Sequence, residues 1–256
     1  MGAILAGASL DLRIIWPLLF SITSAAFGFI VNDISDAELD GLSDDKRNPI
    51  STNELSKEKS VTVALFSLLS SILSLSYLNP QNQQLGIFII FLYFTYSWII
   101  RAKARPVLDI VYHGLCLAVL ATIGYTEYGP LDVKGIYFVS IVFLLSSLSQ
   151  VLQEIRDHDT DRTMIRTTVT LLGKRRSLML SLFLIVSTFP YIFLLLFNGI
   201  VPYGLLFLTP LAYFIIAPII RALINEAYEE KMLKEVRERR LILIGILLTA
   251  LLLGSI

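Results

Sequence analysis

Charged residues are scarce in this sequence. They make up 16% of its 256 residues, whereas water-soluble domains carry about 25%. Hydrophobic residues make up 55%, and the mean hydropathy is +0.71. This balance excludes an ordinary soluble domain and predicts an integral membrane protein, built as a single helical transmembrane domain over residues 1–256.

Cysteine is nearly absent as well. The one cysteine, Cys116, lies within an apolar run, so the chain can form neither an internal disulfide nor a metal cluster of thiolates. The sequence contains no P-loop, zinc motif or nucleophile elbow. The signature of the CDP-alcohol phosphotransferases also fails, because Asp40-Gly41 is followed by Leu-Ser-Asp-Asp. These absences leave the acidic residues as the main candidates for chemistry.

Long apolar segments predict membrane-spanning helices. There are eight of them, at 14–31, 61–78, 85–100, 107–124, 135–152, 177–197, 203–220 and 241–256. Several are short compared with the roughly 20 residues that a span needs. The opening stretch "MGAILAGAS" is typical of the end of an earlier hydrophobic helix. We therefore expect a first span to be missing from this chain.

The basic residues are distributed unevenly between the connecting loops. Nineteen of the 21 Lys and Arg residues lie in four loops, which are 32–60, 101–106, 153–176 and 221–240. The other two, Arg13 and Lys134, fall on the opposite side. Because cytoplasmic loops carry the excess of Lys and Arg, we expect these four loops to be cytoplasmic. The regular alternation also supports the count of eight spans.

The first acidic cluster, "NDISDAELD", follows the first apolar segment. Asn32, Asp36 and Asp40 are spaced i, i+4 and i+8, and Asp33 precedes Asp36 by three residues. If the helix continues past Val31, all four side chains share one face. Like charges at this spacing repel each other. A divalent metal would compensate, and Mg²⁺ is commonly held by one or two carboxylates together with substrate phosphates.

The second cluster, "QEIRDHDTDR", closes the fifth apolar segment. Asp157 and Asp161 are spaced i, i+4, and Glu154 precedes Asp161 by seven residues. Arg156 or Arg162 in this cluster could hold phosphate oxygens in a bidentate manner, and so could Arg47 after the first cluster. Two acidic faces ringed by basic side chains favour a site for metal and diphosphate.

Two other interpretations compete with a diphosphate site. The acids could belong to solvated loops, where they offset neighbouring Arg and Lys. Alternatively, the clusters could bind the transported ion of a divalent-cation transporter. Transporter sites lie near the membrane midplane within broken helices, whereas these acids lie at helix ends. The helical spacing of both clusters argues against plain loop charge.

Three stretches together resemble the UbiA superfamily of intramembrane prenyltransferases. "NDISDAELD" resembles its N-D-x-x-D-x-x-x-D signature. "IRDHDTDRTMIRTTVTLLGKRRS" resembles its second motif, in which D-x-x-x-D precedes a threonine-containing stretch, Leu-Gly and basic residues. "YSWIIRAKARPVLD" resembles the family's Tyr-Ser and basic segment. The resemblance covers the chain from about Leu12.

This resemblance implies an all-α transmembrane bundle with a central cavity capped by cytoplasmic loops, with eight spans visible of the family's nine. It implies Mg²⁺-dependent transfer of an isoprenyl chain from an isoprenyl diphosphate, such as geranylgeranyl diphosphate, to a lipophilic acceptor. Two Mg²⁺ ions are expected. The expected location is a prokaryotic cell membrane, in contact with its lipids, and no nucleic-acid partner is expected.

The resemblance also implies roles for individual residues. The metal-binding set would be Asn32, Asp33, Asp36, Asp40, Asp157 and Asp161. Within it, the catalytic residues that hold metal and diphosphate would be Asn32, Asp36, Asp157 and Asp161. The substrate-binding set would be Tyr96, Ser97, Arg101, Lys103, Arg47 and Arg162.

Two features depart from the pattern or remain open. Asn48 stands between Arg47 and Pro49, where the family often has Arg-Pro, and this weakens the expectation for Arg47. Asp109 and His113 lie four residues apart near the start of a predicted span. An ionisable group in a span indicates function by default, but an interfacial, hydrogen-bonded Asp109 explains the sequence equally well.

Overall fold

The computed structural model describes residues 2–7, 12–42, 48–199, 209–225 and 231–233. All regular secondary structure within these ranges is helical, so the predicted all-α class is confirmed. The α-helices are α1 Gly2–Leu5, α2 Ile15–Asp40, α3 Lys57–Leu75, α4 Pro80–Phe94, α5 Leu108–Thr126, α6 Val133–Asp161, α7 Thr168–Leu172, α8 Lys174–Val186, α9 Phe189–Phe197 and α10 Thr209–Ile224. Short 3₁₀ segments and one π-helical turn connect some of them.

Five helical stretches are long and apolar enough to cross a membrane. They are Leu12–Asp40, Lys57–Leu75, Leu108–Thr126, Val133–Asp161 and Lys174–Phe197. Each overlaps one of the predicted apolar segments, although the predicted segment 61–78 runs three residues beyond Leu75 and the segment 107–124 begins one residue before Leu108. The predicted segment 85–100 lies in the 15-residue helix α4 and the turn that follows it. Segment 203–220 lies partly, and segment 241–256 wholly, outside the described residues, so the count of eight spans stays a prediction.

Local sequence signals explain where several helices begin. The side chains of Ser56, Asn79 and Asp132 each accept a hydrogen bond from the backbone three residues ahead, at the starts of α3, α4 and α6. Such caps satisfy backbone N–H groups that have no partner within the helix. Two hydrogen bonds lower the pKa of the Asp132 carboxyl. The bond from the Gly135 N–H has the larger effect, and the bond from the Tyr125 hydroxyl has the smaller one.

The apolar core runs between the long helices. One buried cluster includes Phe20 of α2, Ile89 of α4 and Ile123 of α5. A second joins Ile155 of α6 to Val169 of α7 and to residues of α8 and α10. Large apolar side chains also remain on the outside of the helices, as expected for surfaces that face lipid.

The connecting loops separate by charge between the two ends of the bundle. At one end, Lys103 contacts the end of α2, and the Val107 N–H reaches Thr168, so three of the basic loops meet. The connections on the opposite side, 79–84, 125–134 and 198–202, carry few charges and are called the charge-poor loops. At that end, Asn79 and Glu127 join the first two of these loops through hydrogen bonds of 3.0 to 3.3 Å. The charge alternation predicts this grouping. Which end faces the cytoplasm stays a prediction.

Candidate active site

The first acidic cluster lies at the end of a continuous helix. Helix α2 runs without interruption to Asp40, so the predicted continuation past Val31 is confirmed. Asn32, Asp33, Asp36 and Asp40 are all partly buried. The helix therefore presents four oxygen-bearing side chains at the end of the bundle where the basic loops meet.

A lysine ammonium group lies against this cluster. Lys103 Nζ is 2.5 Å from Ser35 Oγ and 3.3 Å from Asn32 Oδ1, and it forms a salt bridge with Asp36 Oδ1. The side chain of Lys103 is only 9% exposed. Burial lowers the pKa of Lys103, and the Asp36 carboxylate opposes this effect. A cation is thus stabilised on the oxygen atoms that the sequence predicts to bind metal.

An irregular segment after α4 brings Lys103 to this position. A π-helical turn, Thr95–Ile99, closes with a bond from the Ile100 N–H to the Thr95 carbonyl at 3.0 Å. Arg101 then adopts a left-handed backbone conformation, with φ of 51°, before the 3₁₀ turn that carries Lys103. Within the π turn, the Ser97 hydroxyl donates to Asn32 Oδ1 at 3.4 Å. π turns are frequent at functional sites.

Asn48 proves to be a structural part of the site. It is 3% exposed, and its amide donates to the Asp33 carbonyl at 2.8 Å and to Asp40 Oδ2 at 3.0 Å. The side-chain carbonyl oxygen of Asn48, Oδ1, accepts a hydrogen bond from the Ile50 N–H at 3.0 Å. In the sequence this residue is only a departure from a family pattern. In the structure it fastens the following loop to the end of α2.

The second acidic cluster ends helix α6. Asp157 accepts two hydrogen bonds from the guanidinium group of Arg156, at 2.7 and 2.8 Å. Asp161 is buried, with 5% exposure. Asp159 is out of step with the i, i+4 spacing of Asp157 and Asp161, and it pairs with Lys174 at 2.9 Å. Asp157 and Asp161 therefore remain the two acidic residues of this cluster that can face a ligand together.

Tyr96 lies within electrostatic reach of both motif-bearing helices. It interacts with Glu154 of α6, with Asp109 of α5 and with Asp36 of α2. Its ring stacks on that of Tyr112, with 6.4 Å between the centroids. Of the predicted substrate-binding residues, Ser97 and Lys103 contact the first cluster directly, and Tyr96 lies within range of the charge of Asp36.

Other predicted site residues stand apart or lie outside the described structure. Arg101 is exposed beside Lys103, whose pKa its charge helps to lower. Arg162 caps the end of α6 and is exposed. Arg47 lies outside the described residues. The roles of all these residues stay predictions.

The donor atoms of the two clusters fit Mg²⁺. They are carboxylate and amide oxygens, which hard divalent cations prefer. Among the described residues no three Asp, Glu, His or Cys side chains come together as a complete metal cage. Mg²⁺ does not require such a cage, because one or two carboxylates plus substrate phosphates and water suffice. The clusters therefore suit a metal that arrives with a phosphate ligand.

Sequence comparison extends over most of the chain. A profile of the UbiA prenyltransferase family matches residues 1–233. A search of curated protein sequences finds no match.

Several solved structures share this fold. The apo structure of a UbiA homologue from Aeropyrum pernix K1 has a TM-score of 0.76 at 18% identity, covering 97% of this chain and 94% of that one. A UbiA homologue from Archaeoglobus fulgidus, bound to GPP and Mg²⁺, has a TM-score of 0.70 at 19% identity, covering 96% and 89%. A digeranylgeranylglyceryl phosphate synthase has a TM-score of 0.73 at 16% identity, covering 99% and 90%.

Proposed function

Because this chain belongs to the UbiA prenyltransferase family, we propose that it transfers an isoprenyl group from an isoprenyl diphosphate to a lipophilic acceptor within the membrane, with Mg²⁺ as cofactor. The observation that carries this proposal is the buried Lys103 ammonium on Asn32 and Asp36. Lysine binds phosphate as a compact positive charge. The same residues thus offer both an acidic metal site and a cation for the diphosphate.

The two acidic clusters would hold Mg²⁺ through Asn32 and Asp36 on α2 and through Asp157 and Asp161 on α6. When bound, Mg²⁺ neutralises negative charge that grows on a leaving diphosphate. Asp33 and Asp40 support the first cluster, and the Asp33 backbone and Asp40 carboxylate are already fixed by Asn48. We expect two ions, one for each cluster.

Transfer begins when the allylic carbon–oxygen bond of the diphosphate breaks and the diphosphate leaves with the electron pair. Lys103 donates hydrogen bonds to the departing phosphate oxygens, and Arg156 lies beside Asp157 to do the same. Fixed donors aimed at developing charge lower the barrier without reorganising. A nucleophilic atom of the acceptor then bonds to the carbocation, and the acceptor loses a proton.

The membrane protects this reaction from water. A carbocation is consumed by water unless the site excludes it, and aromatic faces stabilise cations. Tyr96 lies within range of the charges of Asp36 and Glu154, and its ring stacks on that of Tyr112. By contrast, the side chains of Phe91 and Trp98 are largely exposed on the helix surfaces. The Tyr96 and Tyr112 pair is therefore the favoured aromatic wall.

The similar structures support the substrate class. One homologue of this fold is bound to GPP and Mg²⁺, another structure has DMAPP and Mg²⁺, and a third is a digeranylgeranylglyceryl phosphate synthase. We therefore propose an isoprenyl diphosphate donor, with geranylgeranyl diphosphate as the first to try. The proposed location is a prokaryotic cell membrane, with both acidic clusters at the cytoplasmic surface.

Binding of labelled isoprenyl diphosphate to the purified protein tests this proposal. We expect binding only when Mg²⁺ is present, and we expect Asp36→Ala or Asp157→Ala to abolish it, because each removes a carboxylate from one metal site. Glu38→Ala is the matched control, since Glu38 is exposed on the same turn of α2. Unchanged binding in either Asp variant would contradict the proposed prenyltransferase function.

A divalent-cation transporter is the alternative function that the sequence leaves open. Family membership favours the transferase. A flux of divalent cations into liposomes without any prenyl diphosphate would support the transporter instead.

A further inference from the structure

Asp109 is a fully buried carboxylate that the proposed reaction does not use. It lies in the first turn of α5, with 0% exposure. Its Oδ2 atom accepts from the Thr168 N–H and its Oδ1 atom from the Thr168 hydroxyl, both at 2.5 Å, and Oδ1 also accepts from the Ile110 N–H at 2.8 Å. The carboxylate therefore holds Thr168, the first residue of α7, by backbone and side chain together.

Thr168 also contacts the segment that carries Lys103. Its hydroxyl oxygen accepts a hydrogen bond from the Val107 N–H at 2.6 Å. Val107 has a φ of 73°, a conformation that β-branched residues rarely adopt. Val107 is 61% exposed, so burial does not hold this conformation. Two hydrogen bonds hold its backbone, one from its own N–H to the Thr168 hydroxyl and one from the Val111 N–H to its carbonyl at 3.0 Å.

Only three residues separate Val107 from Lys103. Between them, the Arg105 carbonyl accepts from the Asp109 N–H at 3.1 Å, so the middle of this short stretch is tied to the start of α5. Lys103 in turn contacts Asn32, Ser35 and Asp36 of the first acidic cluster. A continuous set of contacts therefore runs from Asp109 through Thr168 and Val107 to the Lys103 segment.

Helix α7 also contacts the helix of the second acidic cluster. Glu154, one turn before Asp157 on α6, is 4% exposed and accepts from the Val169 N–H at 3.3 Å. Gln150 donates to the other oxygen of Glu154 at 3.0 Å. Helix α7 is thus held by α5 through Thr168 and by α6 through Val169. The two acidic clusters are joined through residues that belong to neither metal set.

We propose that Thr168 and Asp109 are positioning residues that set the place of Lys103 on the first acidic cluster, and thereby the affinity for the diphosphate. This inference rests on the proposed function. Neither residue needs to touch the substrate. Their effect on binding depends on Lys103. A purely structural role in stabilising the bundle would not depend on Lys103.

A double-mutant cycle tests this coupling. Thr168→Val removes the hydroxyl that joins Asp109 to Val107 while keeping the side-chain shape. We expect it to weaken Mg²⁺-dependent binding of labelled geranylgeranyl diphosphate by about tenfold, and Thr168→Ser to restore binding to within about twofold. In a Lys103→Met background, which we expect to weaken binding without abolishing it, Thr168→Val should cause no further loss.

Two further variants complete the design. Thr122→Val is the matched control, because within the described part of the chain the Thr122 hydroxyl bonds to the Ala118 carbonyl of its own helix alone, at 2.8 Å, and binding should not change. If Thr168→Val does not fold, Asp109→Asn takes its place in the cycle. The amide keeps the size of the carboxylate but accepts fewer hydrogen bonds, so a smaller loss that again vanishes without Lys103 is expected.

The outcomes separate this inference from the proposed function. Equal losses with and without Lys103, or no loss at all from Thr168→Val, would overturn the positioning role. Wild-type protein that fails to bind the diphosphate in the presence of Mg²⁺ would overturn the proposed function itself.

Discussion

Single side chains decide how the first acidic cluster is neutralised. The Lys103 ammonium occupies the Asn32 and Asp36 oxygens that Mg²⁺ would also use. A buried carboxylate without a partner is costly, so a cation must stay near it. Lys103 supplies that cation in this structure, and it would have to share or leave these oxygens if metal and diphosphate bound there. On the proposed function, lysine and metal would therefore compete for one set of ligands.

This competition predicts effects of opposite sign for Lys103→Met. Binding of isoprenyl diphosphate should weaken by about 10- to 100-fold, because a charge-assisted hydrogen bond is lost. Binding of Mn²⁺, used in place of Mg²⁺ and without diphosphate, should become tighter. Electron paramagnetic resonance of free Mn²⁺ measures the second effect. Lys134→Met, at the other end of the bundle, should change neither value, and weaker Mn²⁺ binding in Lys103→Met would contradict the competition.

The sequence identifies site residues by type and spacing more readily than by their partners. Asn32, Asp36 and Lys103 stand out because the motifs place them. Asn48 stands out only as a departure, since its burial and its bonds to Asp33 and Asp40 depend on how the loop folds back. The sequence does not identify the partner of Asp109 either, because Thr168 lies 59 residues away along the chain.

At the level of elements, close helix packing depends on a few glycines. Helices α5 and α6 approach where Gly114 faces α6. A methyl group at Gly114 would lie 2.4 Å from Ser147 Oγ and 2.9 Å from the ring of Phe143. Both contacts are far shorter than van der Waals distances. A larger residue at position 114 must therefore displace these two side chains or push apart the helices that carry Asp109 and Glu154.

We expect Gly114→Ala to destabilise the protein by about 1–3 kcal/mol, the usual cost of overpacking. Thermal unfolding in detergent measures this change. Gly124→Ala on the same helix is the control, since a methyl group there meets nothing within 4 Å. That variant should be neutral or slightly stabilising, by less than about 1 kcal/mol, because alanine favours helix over glycine. Equal effects of the two substitutions would contradict the packing argument.

Periodicity predicts the long helices but not the short irregular pieces. The i, i+4 spacing of Asn32, Asp36 and Asp40 correctly extends α2 beyond its apolar part. The π turn at Thr95–Ile99 and the five-residue helix α7 have no such signal. The π turn is accompanied by the distant bond from Ser97 to Asn32, and α7, beside its local capping box of Thr167 and Thr170, by the bonds from Thr168 to Asp109. Helical periodicity contains neither of these distant contacts.

For the whole molecule, the distribution of charge separates the two ends. Three of the basic loops meet beside the acidic clusters, and two of the charge-poor loops meet around Glu127, which accepts from Asn79 and Asn82. Counting Lys and Arg predicts this grouping because membrane insertion itself sorts loops by charge. The remaining expectation is that the basic end is cytoplasmic.

Single introduced cysteines test the orientation. Cys116 is buried in the apolar interior, so a new exposed cysteine should account for the labelling. In right-side-out vesicles, a membrane-impermeant maleimide should label Asn198→Cys at the charge-poor end at once. It should label Glu54→Cys at the basic end only after permeabilisation. The reverse pattern would place the acidic clusters outside the cell.

Prenyl transfer itself is the central claim. The most direct measurement incubates the membrane-embedded protein with labelled geranylgeranyl diphosphate and extracted lipids, and follows both labelled lipid and released diphosphate. We predict that both form together when Mg²⁺ is present and that neither forms when the metal is chelated. Uptake of divalent cation into the vesicles, with no diphosphate released from any isoprenyl donor and acceptor lipid supplied, would contradict the account.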